Sequence, residues 1–332
     1  MTSQRALRVL APGALSTVQD LGRRDVARFG VSPSGAADWY SASAANLLVG
    51  NPTGAALIET TLTGAEFELQ CDAAIAVTGA VASLLIDGVP AARWQAQEVR
   101  DGAKIEIGAA ERGARSYLAV DGGIEVPLVL GSASTDLGAG FGGYRGRALR
   151  TGDILSVVAR SLDPPSAAST PLCYAPETIP DWDPSTIVRV LPGPHRASLS
   201  DAAWHELFAR SYGVSSRSTR QGLQLEGAPL ALDRPTDVIS AGAYAGCVQI
   251  TSAGLPVMLL AEHQTTGGYA TAACTIAADV PRAGQLRPGD RVRFTLVSRI
   301  DAVHALAALH RNLASASPDP PAQLGAGFYE GL

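Results

Sequence analysis

Residues 16–38 of the 332-residue chain bring together side chains that can hold an anion or transfer a proton. Asp20, Arg23, Ser34 and Asp38 stand here among glycines and further hydroxyl residues, a composition that core packing does not require. A guanidinium can bind a carboxylate or phosphate, and a carboxylate near a reacting group can move a proton. We therefore expect Asp20 to be catalytic and the other three residues to bind substrate.

A second polar stretch follows the apolar run 257–260, which is typical of a buried strand. It contains an acid, an imidazole, an amide, two hydroxyls, two glycines and a phenol in direct succession: Glu262, His263, Gln264, Thr265, Thr266, Gly267, Gly268 and Tyr269. Preorganised donors at the rim of a site stabilise negative charge that develops on oxygen. We expect catalytic roles for Glu262, His263 and Gln264 and substrate binding by residues 265–269. A hydrogen-bonded turn is the alternative interpretation.

The single lysine of the chain, Lys104, limits the nucleotide and cofactor chemistry that the chain can perform alone. A P-loop needs Gly-Lys-Ser/Thr between a strand and a helix, and that motif is absent. Lys104 alternates with apolar residues in a strand-like pattern, so it is not expected to carry biotin or a Schiff base. We expect no covalently bound cofactor, and any ATP or biotin chemistry must come from another protein.

Other motifs that could carry chemistry are weak. Five histidines include no pair at i, i+4, so no metal site is predicted. Four widely spaced cysteines favour free thiols. Residues 138–143 match G-x-G-x-x-G, but no helical sequence follows them, so they do not predict a dinucleotide site. A glycine loop beside an active site is the remaining functional interpretation of that segment.

Composition excludes several classes of function. The formal charge is −5 at pH 7, and no run of arginines reaches the density of a nucleic-acid patch. No apolar stretch approaches the roughly 18 residues of a membrane span. Pro12 follows too closely on the first residues for the apolar region of a signal peptide. We therefore expect a folded cytoplasmic protein that binds neither nucleic acid nor membrane.

Most of the sequence consists of short strand patterns separated by turn residues, with helical patterns over 36–49, 199–211 and 301–313. Six prolines and no periodicity mark 161–186 as a linker. The predicted organisation is therefore a β domain, a linker, a second β domain, and a helical segment with a loose tail, over 1–160, 161–186, 187–300 and 301–332.

The sequence follows the pattern of a known family over nearly the whole chain. The chain resembles the biotin-dependent carboxyltransferase family, which includes KipA-like proteins, the C-type subunit of 5-oxoprolinase, allophanate hydrolase subunit 2 and the carboxyltransferase region of urea carboxylase. The resemblance implies a mostly β fold of two cyclophilin-like β-barrel domains with a few short helices. It rests on residues 17–23, 34–38, 45–51, 122–124, 130–135 and 264–269.

The same resemblance implies a functional setting. The leading hypothesis is the larger subunit of a two-protein, ATP-dependent amidohydrolase resembling 5-oxoprolinase, which holds an amide or lactam at its interface with a KipI-like subunit (the B-type subunit of 5-oxoprolinase or allophanate hydrolase subunit 1). A LamB/YcsF-like subunit would complete the complex. One alternative is a carboxyltransferase that moves a carboxyl group from carboxybiotin on a separate carrier to an amide or urea-type acceptor. Another is a non-catalytic KipA-like protein that sequesters a kinase inhibitor.

The chain also departs from the family pattern near the expected site. Thr219 and Ala241 stand where the family usually has carboxylates, and His263 replaces an arginine. Arg220 keeps its place, and we expect it to hold an acidic group of the substrate. A histidine changes charge within the physiological pH range, so His263 predicts pH-dependent anion binding.

Overall fold

The computed structural model describes residues 5–159, 171–232 and 236–318. Strands hold 37% of the residues and helices 16%, so the expected mostly β class with a few short helices is confirmed. No helix in these three ranges is long and apolar enough to cross a membrane. Residues 161–170 of the predicted linker and most of the predicted tail, residues 319–332, lie outside the described residues.

The first half of the described chain forms twelve strands in two antiparallel sheets. The strands are β1 (Ala6–Ala11), β2 (Leu15–Gln19), β3 (Leu57–Thr61), β4 (Ala65–Leu69), β5 (Ala73–Val81), β6 (Leu84–Ile86), β7 (Val89–Pro90), β8 (Gln97–Val99), β9 (Lys104–Ile107), β10 (Arg112–Val120), β11 (Ile124–Glu125) and β12 (Ile154–Val157). The seven-stranded sheet has the order β11-β12-β1-β4-β9-β6-β7, and the five-stranded sheet has the order β2-β3-β10-β5-β8.

These two sheets bury one apolar core between them. Alternate residues of β4, including Phe67 and Leu69, point inward, as do Ile75 and Val77 of β5 from the other sheet. Lys104 lies on the outer face of β9 and pairs with Glu66 at 2.9 Å, as its alternating sequence predicts. The period of two thus decides which face of each strand is buried.

The second half forms a single eight-stranded sheet, and seven of its strands close into a barrel. The strands are β13 (Ser185–Pro192), β14 (Tyr212–Val214), β15 (Gly222–Glu226), β16 (Asp237–Gly242), β17 (Cys247–Ile250), β18 (Pro256–Leu259), β19 (Thr266–Thr275) and β20 (Arg291–Leu296). Closure follows because β13 pairs with β20 in parallel and with β19 in antiparallel register. An apolar core fills this barrel.

Four α-helices occur in the described chain, over Trp39–Leu48 (α1), Asp201–Ala209 (α2), Val280–Gly284 (α3) and Arg299–Leu313 (α4). Short 3-10 helices span Ala27–Phe29, Pro176–Thr178 and Arg196–Ser198. The helices that the sequence predicts correspond to α1, α2 and α4, whereas the five-residue α3 is too short to give a periodic signal. Residues 171–184 of the predicted linker are packed rather than loose, since the Trp182 indole donates to Gly79 O.

Candidate functional site

The two polar stretches meet between the halves of the molecule. Ser32 Oγ lies 3.4 Å from Ala261 O, and Arg220 Nη2 donates to Gly35 O at 2.6 Å. A cavity of about 460 Å³ opens at this junction. We call it the interface cavity; its walls include Leu21, Pro33 and Ser34 from the first half and Tyr244, Ala261 and His263 from the second.

Asp20 organises the loop beside this cavity. It follows β2, and its carboxylate accepts hydrogen bonds from Gly22 N at 2.7 Å, Ser132 Oγ at 2.6 Å and Ala133 N at 2.7 Å. The Ser134 hydroxyl is a further donor. Because four donors converge on one carboxylate, Asp20 fixes the course of two loops distant in sequence.

Arg23 is a buried guanidinium with an unused donor. Its Nε donates to Val129 O at 3.1 Å and its Nη2 donates to Ser134 O, while Phe141 lies under the guanidinium at 4.6 Å. Burial lowers the pKa of Arg23, and nearby carboxylates, among them Asp136, oppose that shift. Nη1 is buried without a hydrogen-bond partner. An orphaned donor on a buried cation is a fitting anchor for an anion.

Ser34 presents a second orphaned group. Its Oγ is buried without a partner, and the residue lines the interface cavity in a left-handed conformation with φ of 55°. Non-glycine residues rarely adopt this conformation, and such backbone strain is concentrated at functional sites. Arg23 and Ser34 therefore remain the sequence-predicted binding residues whose polar atoms are free to act.

Arg220, by contrast, has no nitrogen without a hydrogen-bond partner. Its Nε donates to Glu262 Oε1 at 2.7 Å, its Nη1 binds Glu59 and its Nη2 binds Gly35 O. Burial works against the charge, but Glu59 and Glu262 raise the pKa of Arg220 above its usual value. Each nitrogen of the Arg220 guanidinium thus has a partner within the protein, as a buried charge requires.

Glu59 is the centre of a buried network that the sequence motifs do not reveal. Its Oε1 binds Arg220 and lies 3.5 Å from Arg115 Nε, and its Oε2 accepts from Ala37 N and Tyr117 Oη, both at 2.9 Å. The pKa of Glu59 is below its usual value: burial on its own would raise it, but the two guanidiniums and these donors lower it by more. An acid inside an apolar strand pattern is the signal that could have found it.

Asp38 belongs to the same interior rather than to the cavity wall. It is the N-cap of α1, accepting from Ser41 N at 2.9 Å, and it also accepts from Gln285 Nε2 at 2.8 Å. Gln285 donates in addition to Arg115 O at 2.9 Å, so its amide joins the two halves. Burial raises the pKa of Asp38 to about 6. These contacts assign Asp38 to folding rather than to substrate contact.

His263 is the group from the second stretch that faces the interface cavity. Its Nδ1 donates to Gln264 O at 2.8 Å, which leaves Nε2 as an acceptor. Burial lowers the pKa of His263 below its usual value, opposed by the bond to that carbonyl. The imidazole is therefore neutral at pH 7 and suited to accept a proton, while Glu262 is paired with Arg220.

The rest of the second stretch lies elsewhere. Gln264 and Tyr269 line a separate cavity of about 140 Å³, which Thr219 also lines. Residues 265–268 line neither cavity among the described residues; those from 266 onward begin β19 and pair with β16, where Ala241 lies opposite Gly267. The structure thus divides the predicted cluster between a cavity wall and a strand pairing.

The glycine-rich segment 138–143 packs against Arg23. A Cβ atom at Gly142 would collide with Arg23 Nη2 and with Ser134 O, and its φ is 70°. No helix follows this segment, which does not fit a dinucleotide site. Its glycines instead allow the backbone to approach the guanidinium. Within the described ranges, no group of three or more His, Cys, Asp or Glu residues is placed to hold a metal ion.

The fold and the site together define a class of protein: two β-rich domains that enclose a cavity at their junction, with Ser34 and His263 on its wall. Residues 29–296 match the family model of the carboxyltransferase domain, subdomain A and B, and the chain belongs to that family. The resemblance that the sequence motifs indicate is confirmed.

Relatives and solved structures agree with this assignment. The chain is 34% identical over 299 residues to the C-type subunit of 5-oxoprolinase from Escherichia coli (strain K12), covering 90% of this chain and 94% of that protein. It is 33% identical over 283 residues to the Haemophilus influenzae protein of the same name, covering 85% and 88%. The structure of K. lactis urea amidolyase matches with a TM-score of 0.89 at 29% identity, over 98% of this chain and 20% of that chain.

Proposed function

We propose that this chain is the C-type subunit of a multi-subunit, ATP-dependent 5-oxoprolinase that opens a lactam to the free amino acid. The observation that carries the proposal is the extent of similarity. The chain covers 94% of the Escherichia coli 5-oxoprolinase protein but 20% of K. lactis urea amidolyase. The match therefore spans nearly all of the first protein and only one segment of the second.

The interface cavity suits a small cyclic amide that carries a carboxylate. Its walls are largely apolar, and Ser34 and His263 are polar residues among them. We assign substrate anchoring to Ser34 Oγ and to Arg23 Nη1, which have no hydrogen-bond partner. We assign proton transfer to His263, which is neutral at pH 7. Asp20 acts as a positioning residue because it fixes the loop that holds Arg23.

ATP would enter through the complex, since the chain has no P-loop motif. A KipI-like partner corresponding to the B-type subunit of 5-oxoprolinase, with a LamB/YcsF-like subunit, is the proposed assembly. Activity then requires all three proteins.

The test is reconstitution. We expect ATP-dependent formation of glutamate from 5-oxoproline when the chain is mixed with both partner subunits, and none when the chain is omitted. Ser34→Ala removes a hydroxyl that has no intramolecular partner, so it should lower kcat/KM about tenfold without lowering Tm. Arg23→Lys should raise KM, whereas the exposed neighbour Arg24 serves as the matched control in Arg24→Lys. Full turnover without this chain would overturn the proposal.

Carboxyl transfer is the second candidate, favoured by the TM-score of 0.89 to urea amidolyase. Labelled carboxybiotin on a separate carrier, offered with urea as acceptor, distinguishes it from the first. Transfer of label without ATP-dependent glutamate formation would select this function. Partner binding with neither reaction would select the non-catalytic, inhibitor-sequestering alternative.

A further inference from the structure

Two of the four free cysteines, Cys247 and Cys274, face each other across neighbouring strands β17 and β19. Thr275 N donates to Gly246 O at 2.8 Å, whereas Cys247 N donates to Tyr244 O at 3.1 Å. The two cysteines therefore form a non-hydrogen-bonded antiparallel pair. In such pairs the Cα atoms are about 4.5 Å apart with side chains on one face, within the range that a disulfide spans.

The sulfur atoms have unequal surroundings. Tyr244 Oη donates to Cys274 Sγ at 2.7 Å. The Cys247 thiol is a second donor and the main cause of a pKa for Cys274 lowered to about 7, with Tyr244 lowering it further against the effect of burial. The pKa of Cys247 is raised by the same thiol contact and by burial. Cys274 is also the more accessible of the two, since Cys247 is fully buried.

Tyr244 connects this pair to the interface cavity. Its ring is half exposed and forms part of the cavity wall, while its hydroxyl ends on Cys274. A change in the charge or position of that sulfur alters the hydrogen bonding of a wall residue.

We propose that Cys247 and Cys274 form a peroxide-responsive thiol pair whose closure to a disulfide is transmitted to the interface cavity through Tyr244. The Cys274 thiolate attacks a hydroperoxide, so that an S–O bond forms, the O–O bond breaks, and the alkoxide or hydroxide leaves as alcohol or water after protonation. Cys247 then attacks the sulfenic sulfur, forming the S–S bond and releasing water. The two thiols lose two electrons and the peroxide gains them.

The first experiment treats the full chain with hydrogen peroxide at pH 7, alkylates the remaining thiols under denaturing conditions and maps the peptides by mass spectrometry. We expect the thiol count to fall from four to two, with one linked peptide containing residues 247 and 274. Cys247→Ser should stop at a sulfenic acid on Cys274 that dimedone traps, and the control Cys71→Ser should still form the link. Retention of all four thiols, or equal loss at Cys71 and Cys173, would overturn the proposal.

The second experiment tests the connection through Tyr244. In Tyr244→Phe the Cys274 thiolate loses a donor, so oxidation at pH 7 should slow about fivefold, as expected when a pKa near 7 rises by about one unit. The same loss destabilises the reduced state, so at pH 7 the disulfide should become about twofold more favourable in equilibrium with glutathione. General disruption of the fold does not produce slower oxidation together with a more stable disulfide. An unchanged rate and equilibrium would refute the role of Tyr244.

Discussion

Replacing Arg220 by alanine should mainly destabilise the junction between the halves, and its effect on ligand binding should be the smaller one. The guanidinium is 4% exposed and neutralises Glu59 and Glu262, which are 1% and 8% exposed. Its removal leaves two buried carboxylates short of a cation, with Arg115 as the remaining guanidinium near Glu59. Breaking a buried ion pair in this way costs about 3–5 kcal/mol. At about 2 °C per kcal/mol for a chain of this size, Tm should fall by about 6–10 °C.

Differential scanning calorimetry at pH 7 measures this change. The matched control is Arg100→Ala, which removes an arginine whose side chain is 89% exposed and paired with Asp72; it should change the free energy of unfolding by less than about 0.5 kcal/mol. Combining Arg220→Met with Glu59→Gln should recover part of the loss, because Glu59 is then no longer an unpaired charge, while Glu262 still lacks its cation. An Arg220→Ala protein with unchanged Tm and lost ligand binding would refute this reasoning.

Three further predictions concern single carboxylates and the histidine. The pKa of Asp38 is raised to about 6, so the folded state favours the protonated acid, and the protein loses stability as pH rises from about 4 to 6. Asp38→Asn should remove this loss. In urea denaturation, the free energy of unfolding of the variant relative to the parent should therefore rise by about 2–3 kcal/mol between pH 4 and 7. The pKa of His263 is lowered, so its contribution to stability is present above about pH 6.5 and lost at lower pH. Between pH 7 and 5, the Tm of His263→Gln should therefore fall less than the Tm of the parent. An equal fall in Tm would contradict the lowered pKa. Asp20→Asn should cost about 2–3 kcal/mol in urea denaturation because four hydrogen bonds to a charged acceptor weaken, whereas Asp25→Asn on the exposed surface should be neutral.

The lowered pKa of His263 changes the pH dependence that its identity alone predicts. An exposed imidazole would titrate near pH 6.5 and alter anion binding across the physiological range. Burial moves that titration to lower pH, because the charged form loses its hydration. Ligand affinity is then expected to be constant from about pH 7 to 8.

The sequence was sufficient for features that depend on local pattern. Alternation of apolar residues predicts the strands, and the helical pattern over 36–49 predicts α1, because both depend on residues within one or two turns of chain. The two polar stretches were also recognisable, since hydroxyls, acids and glycines stand where packing does not need them. The sequence does not show how they lie relative to each other, which depends on contacts such as that between Ser32 and Ala261.

Only the tertiary structure decided which of the polar side chains are free to act. Arg23 and Arg220 are both arginines in family motifs. Arg220 forms an ion pair with Glu59, 161 residues away in sequence, whereas Arg23 keeps an unpaired Nη1. The pairing of a buried charge depends on its neighbours in space, and the carboxylates that pair with Arg220 come from both halves of the molecule. The sequence by itself therefore determined the residue types, the strands and the family, whereas burial and long-range pairing determined which residues stabilise the junction and which face the cavity.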